Sequence, residues 1–182
     1  MDSDVLAKAW VDHVDFPWDE YGVAIRNLRL DIAPPVSGSY DNFFINGMGA
    51  AIRSEIWACL APGNPVLAAK YAYADACVDH AEEGIWAPVL LAALESMAFV
   101  ENDQDKLLDM AVEQLPETSL VRQAISDTRL WWKEYKDWKI IREKILEKYG
   151  KENFTDVTMN MAFIVLAWLA AGNDFSKPIN GS

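Results

Sequence analysis

Apolar residues recur along this sequence at intervals of three and four, and the sustained alternation that marks strands is missing. A chain patterned this way buries its apolar surface by packing helix on helix, so the expected fold class is all-α. Proline and glycine set the ends of the segments. Helices are expected over residues 4–14, from about 19 until Pro34-Pro35, and over 49–60, 65–79, 84–100, 103–114 and 156–171. One long helical stretch should open at Thr118 or Ser119 and run to Tyr149, with Gly150 closing it. Asn64 is a natural cap, and Pro65 takes the first helical position, where its missing amide costs nothing. Leu90, Leu91, Leu94 and Met97 are too dense for a wide polar face, which makes residues 84–100 the expected central helix.

At 182 residues the chain has the length of one globular domain. A chain of this size can bury about 70% of the surface it exposes when unfolded. A single helical domain is the expectation. The net charge of −12 repels nucleic-acid backbones and anionic membranes, and the basic stretch at 133–151 interleaves its Lys and Arg with acids as a solvated helix face does. Neither nucleic acid nor membrane is therefore an expected partner. The longest apolar runs, near 86–100 and 159–171, are too short to span a bilayer. Cys59 and Cys77 sit in apolar, helix-like runs with no secretory segment ahead of them, so they read as reduced core thiols in a cytoplasmic protein. Trp131, Trp132, Tyr135 and Trp138 read as packing residues.

Residues 33–48 (APPVSGSYDNFFINGM) are the most loop-like part of the chain. A connection of this length is either a wandering link or a ligand-facing loop that feeds the next helix. Gly47 and Gly49 flank that helix start and leave backbone amides unshielded, the geometry that receives a phosphate or a ribose hydroxyl. Arg53, one turn further on, can pair with an acid in the fold or reach a ligand. His80 lies where one apolar helix ends and Gly84 breaks the chain; it is either a satisfied structural histidine or an imidazole reaching into a cleft. His13 reads as structural. Neither histidine has a nearby Ser or Cys that makes a believable triad, and Asp41, Asp75 and Asp79 can hold a metal only if the fold gathers them. The sequence alone assigns neither a catalytic residue nor a metal ligand.

Taken together, Gly49-Ala-Ala-Ile-Arg53, Ala61-Pro-Gly-Asn-Pro65, Ala68-Ala69, Ala74-Asp75-Ala76, His80 and Gly84-Ile85 form an ordered series with consistent spacing. This series resembles the central portion of the ADP-ribosylglycohydrolase family, which includes the dinitrogenase reductase-activating glycohydrolases. The likeness covers about residues 10–175. It implies an orthogonal multi-helix fold and Mg²⁺-dependent hydrolysis of the glycosidic bond in an ADP-ribosylated protein or small molecule. In the family, two metal ions hold the ribose hydroxyls and a water near the anomeric carbon. Carried over residue by residue, the resemblance implies substrate contacts from Asn46, Gly47, Gly49, Arg53 and His80.

The sequence also departs from the family pattern. Met48 stands where the family often has Asn, Asp79 replaces Ser or Thr before the histidine, and Trp86 stands where Tyr is common. The family's metal ligands lie in a Thr-Asp-Asp and an Asp-Thr-Asp motif, and neither string occurs here. The expectation is therefore a partial or degenerate family domain that is inactive alone. Its exposed apolar surface should then be covered by a protein partner or by further chain segments. The alternative is a non-catalytic helical module that binds ADP-ribose, a nucleotide or a protein.

Overall fold

A computed structural model describes residues 2–172, which form helices and their connecting turns, with no strand among them. The tail over 173–182, which holds Pro178 and ends in Asn180-Gly181-Ser182, lies outside the described residues. Two compact units divide the chain, Met1–Leu115 and Pro116–Ser182.

In the first unit, α1 (Ser3–His13) and α2 (Asp19–Arg29) lead into a short α3 (Val36–Ser39). A 3₁₀ turn over Ala51–Arg53 then enters α4 (Glu55–Leu60), followed by α5 (Pro65–Asp79), α6 (Glu83–Ala98) and α7 (Gln104–Val112). The pair α5 and α6 is the centre of the unit: α1, α2 and α3 pack on α5, α7 packs on α6, and α4 packs on both. Small side chains make that pairing close. Ala68, Ala72 and Ala76 repeat every fourth residue on α5 and are fully buried, as are Ala92 and Ala93 of α6. The expected central helix is thus α6, with Leu90 at its fully buried core.

Two expected helices differ in detail. The stretch 49–60 is broken, because the Ser54 hydroxyl donates to the Ala51 carbonyl and closes a 3₁₀ turn instead of extending the helix. The break leaves Ile52, Ile56 and Leu60 exposed along one side. Cys59 lies exposed on α4, so of the two expected core thiols only Cys77 is one; both are free. His13 is likewise exposed, in the last turn of α1, where a histidine complements the helix dipole.

In the second unit the long expected helix is two: α8 (Leu120–Tyr135) and α9 (Trp138–Tyr149), with α10 (Val157–Ala171) packed on both. Lys136 takes a left-handed conformation with φ 51°. The Asp137 carboxylate then caps α9 by accepting from the Lys139 amide. Asp137 is therefore a legible start signal, overridden in the sequence by the continuous run of aromatic and charged residues. Trp131, Trp132 and Tyr135 pack against a core of Ala124, Ile141, Ile145, Met159, Ala162 and Leu166, whereas Trp138 is half exposed.

A half-buried acid on α6 makes stability depend on pH. Burial first, and the like charge of Glu55 second, push the Glu95 carboxyl up to about 7, and its Oε2 has no hydrogen-bond partner. A carboxyl raised in the folded state contributes stability that is fully present below its ordinary value of 4.5 and is lost as pH rises through about 7. Glu95→Gln is therefore expected to be near neutral at pH 4 and to stabilise by about 1–2 kcal/mol at pH 8, allowing for solvent screening at a half-buried site. Urea denaturation at the two pH values checks this; an equal gain at both would remove ionisation as the cause.

Candidate functional site

The carboxyl end of α5 is where the polar groups of the first unit gather. A helix end leaves carbonyls without intrahelical partners, and here the 33–48 segment supplies them. Ser37 donates its hydroxyl to the Val78 carbonyl, Asn42 donates Nδ2 to the Asp79 carbonyl at 2.8 Å, and the Ala81 amide donates to the Ile45 carbonyl. Fully buried Asn27 of α2 holds the same segment from the other side, donating to the Ser37 and Tyr40 carbonyls. The segment is thus stapled to α5 and is no wandering link.

Arg53 closes the site. Its Nε donates to Asp75 Oδ2 at 2.8 Å, while Nη1 and Nη2 donate to the two oxygens of Asp79 at 2.9 and 2.7 Å. Trp57 Nε1 donates to the same Asp75 oxygen. The guanidinium also lies over the stacked rings of Trp10 and Tyr21, 5.0 Å from the first centroid and 5.5 Å from the second. Each ring face attracts the cation. The Arg53 side chain is only 19% exposed. It is a lock whose forked donors match two carboxylates spaced one helical turn apart. Burial alone would raise Asp79, yet the charges of Arg53 and His80 overcome it and hold the carboxyl below its ordinary value. Asp75 goes the other way: burial, together with the Asp79 charge, outweighs Arg53 and lifts it. For Arg53, burial opposes the charge, but the two carboxylates win and raise its pKa.

His80 follows directly and is fully buried. Its Nδ1 approaches Asp79 Oδ1 to 2.8 Å but off the line a hydrogen bond requires, so neither ring nitrogen has a hydrogen-bond partner. Glu20 of α2 points at the same place, with a carboxylate oxygen seated over Gly49, where an added Cβ would come within 1.8 Å of it. Ligand atoms of Glu20, Asp79 and His80 all lie within 4.8 Å of one another.

Of the residues singled out in the sequence, Asn46 bridges to α6, donating to Glu82 Oε2 at 3.0 Å and accepting from the Gly84 amide at 3.2 Å. Gly84 itself sits against the His80 ring and the Ile45 carbonyl. Gly49 meets Glu20 beside His80, and Arg53 meets Asp79, so Asn46, Gly49, Arg53 and His80 converge on one corner. Gly47 is buried inside the turn, its amide donating to the Phe44 carbonyl. Asp41 does not join Asp75 and Asp79; it pairs with Arg26 at 3.1 Å. Sequence reasoning misses Glu20 and the Trp10–Tyr21 pair. Their one signal is position beside the helix break at Pro17, which says nothing about long-range contact.

An all-helical architecture with a polar corner built from helix ends and a glycine turn is the class of protein that this chain defines. Residues 1–181 match the family model described as ADP-ribosylglycohydrolase, and the chain belongs to that family. No curated protein and no solved structure matches it. The match extends the resemblance drawn from residues 10–175 across nearly the whole chain. No helix among the described residues is long and apolar enough to cross a membrane.

The family is generally metal-dependent, so the donor set matters. Mg²⁺ demands near-octahedral oxygen ligation. Glu20, Asp79 and His80 offer one imidazole and only two carboxylates, too few oxygen ligands, and this set does not fit Mg²⁺.

Proposed function

We propose that the corner formed by Asn46, Gly47, Gly49 and His80 binds the ADP-ribosyl group of an ADP-ribosylated protein or small molecule, with Arg53 as the residue that fixes the corner's shape. The convergence of Asn46 and Gly49 from the 46–49 turn with His80 at the end of α5 carries the reading. Gly49 sets no side chain of its own against phosphate and ribose oxygens once the Glu20 carboxylate seated over it moves aside, and His80, whose ring nitrogens make no hydrogen bond, offers a further donor or acceptor. On this reading the chain is cytoplasmic. Glycosidic hydrolysis belongs to an assembly that also supplies Mg²⁺ ligands, for which the described corner has no suitable donor set; no chemical step is assigned to the corner itself. The family membership supports the substrate class.

Titration calorimetry of the purified chain with ADP-ribose, in chelator and again with Mg²⁺, tests this. Binding is expected in both conditions, and His80→Ala should weaken it at least tenfold, about 1.4 kcal/mol. Equal affinity of the wild type and His80→Ala, or absence of heat in both conditions, would overturn the assignment.

A further inference from the structure

We infer that Glu20, Asp79 and His80 form a binding site for one imidazole-accepting transition-metal dication of the Zn²⁺ class. This inference goes beyond the ADP-ribose reading and does not rest on it. Three features of the corner converge on it.

The first is the unused imidazole. Neither nitrogen of fully buried His80 has a hydrogen-bond partner, although buried polar atoms are almost always paired. The second is the distance. His80 Nδ1 and Asp79 Oδ1 lie 2.8 Å apart without hydrogen-bond alignment, which makes a poor hydrogen bond. Two tetrahedral donors held by one zinc ion, each at about 2.0–2.2 Å from it, lie roughly 3.3–3.6 Å from one another, so this pair need part by only about half an ångström or a little more to admit the ion. The third is charge. Asp75 and Asp79 share the single guanidinium of Arg53, and Glu20 adds a further carboxylate beside Asp79 and His80, an excess of acidic groups that a dication would offset.

Arg53 is compatible with this arrangement. A carboxylate has about four lone-pair positions, and Arg53 takes one on each oxygen of Asp79. A metal-bound carboxylate held by an outer hydrogen-bond donor is the usual arrangement, because the donor fixes its orientation. Gly49 completes the site by leaving room for Glu20. The mixed nitrogen and oxygen donor set selects Zn²⁺ or Co²⁺ over Mg²⁺ and Ca²⁺.

The test uses the full chain, stripped with chelator and titrated with ZnCl₂ by calorimetry and with CoCl₂ by visible absorption, without any nucleotide. One ion per chain is expected, with Co²⁺ giving the intense visible bands of a low-coordinate site. Glu20→Gln and His80→Gln should each lower the affinity at least tenfold. Gly49→Ala, which keeps all three ligand residues but displaces the Glu20 carboxylate, should weaken binding as well. His13→Gln should leave it unchanged, since His13 lies exposed at the end of α1. Melting curves identify any variant that fails to fold, and Gly49→Ala then carries the comparison. Co²⁺ retaining the pale spectrum of the hydrated ion, Zn²⁺ binding that survives in Glu20→Gln and Gly49→Ala, or binding lost in His13→Gln would each overturn the proposal.

Discussion

Replacing Arg53 with methionine is expected to destabilise the protein by about 3–5 kcal/mol, the range for removing one partner of a buried charge network. The variant keeps most of the packing against Trp10 and Tyr21 but leaves Asp75 and Asp79 buried without a cation. Arg53→Lys should recover only part of the loss, because a point charge cannot reproduce the fork across both oxygens of Asp79 and one of Asp75. The effect of pH separates lost charge pairing from lost packing. In the wild type the depressed Asp79 carboxyl contributes stability that is present above the ordinary aspartate value of 3.8 and is lost as pH falls through its lower folded value. Without Arg53, burial raises the same carboxyl, so the deficit of the variant should be largest near pH 7 and shrink as pH falls below 5. Urea titrations at pH 7 and pH 4 measure it. A deficit independent of pH would mean that packing, not charge, is what Arg53 supplies.

The helices are legible because their signals are local. Period, cap and breaker lie within one segment, and Asn64 before Pro65 marks the start of α5 to the residue. Where two local signals compete, the sequence misleads: the unbroken aromatic run over 131–138 hides the left-handed turn at Lys136. The site is half legible for a related reason. Glycine turns and a lone histidine stand out in any sequence, so Gly49 and His80 are found. The partner of Arg53 stays open between an acid and a ligand, because spacing places Asp75 and Asp79 on one face of α5 but does not say what meets that face. Glu20 leaves no mark beyond its place after the break at Pro17. An acid in the first turn of a helix is explained by the helix dipole, and only the fold shows that it turns inward over Gly49.

Close backbone approach decides which glycines the corner cannot lose. A Cβ on Gly38 would fall 2.2 Å from the His80 carbonyl oxygen, 2.8 Å from the His80 nitrogen and 2.9 Å from the Cys77 oxygen, all backbone atoms at the end of α5. On Gly84 it would fall 2.0 Å from the Ile45 carbonyl oxygen and 3.0 Å from the His80 ring. Backbone cannot rotate away as a side chain can, so Gly38→Ala and Gly84→Ala must part the 33–48 segment from α5 and α6. Each is expected to cost about 3 kcal/mol, the upper part of the overpacking range, and to lower the melting temperature by about 10 °C. Gly49→Ala meets only the far end of the Glu20 side chain, and should cost less than half as much in the same melt. The ordering is the test. Gly49→Ala melting as low as Gly38→Ala would mean that the Glu20 carboxylate, and not the close approach of two backbones, holds this corner together.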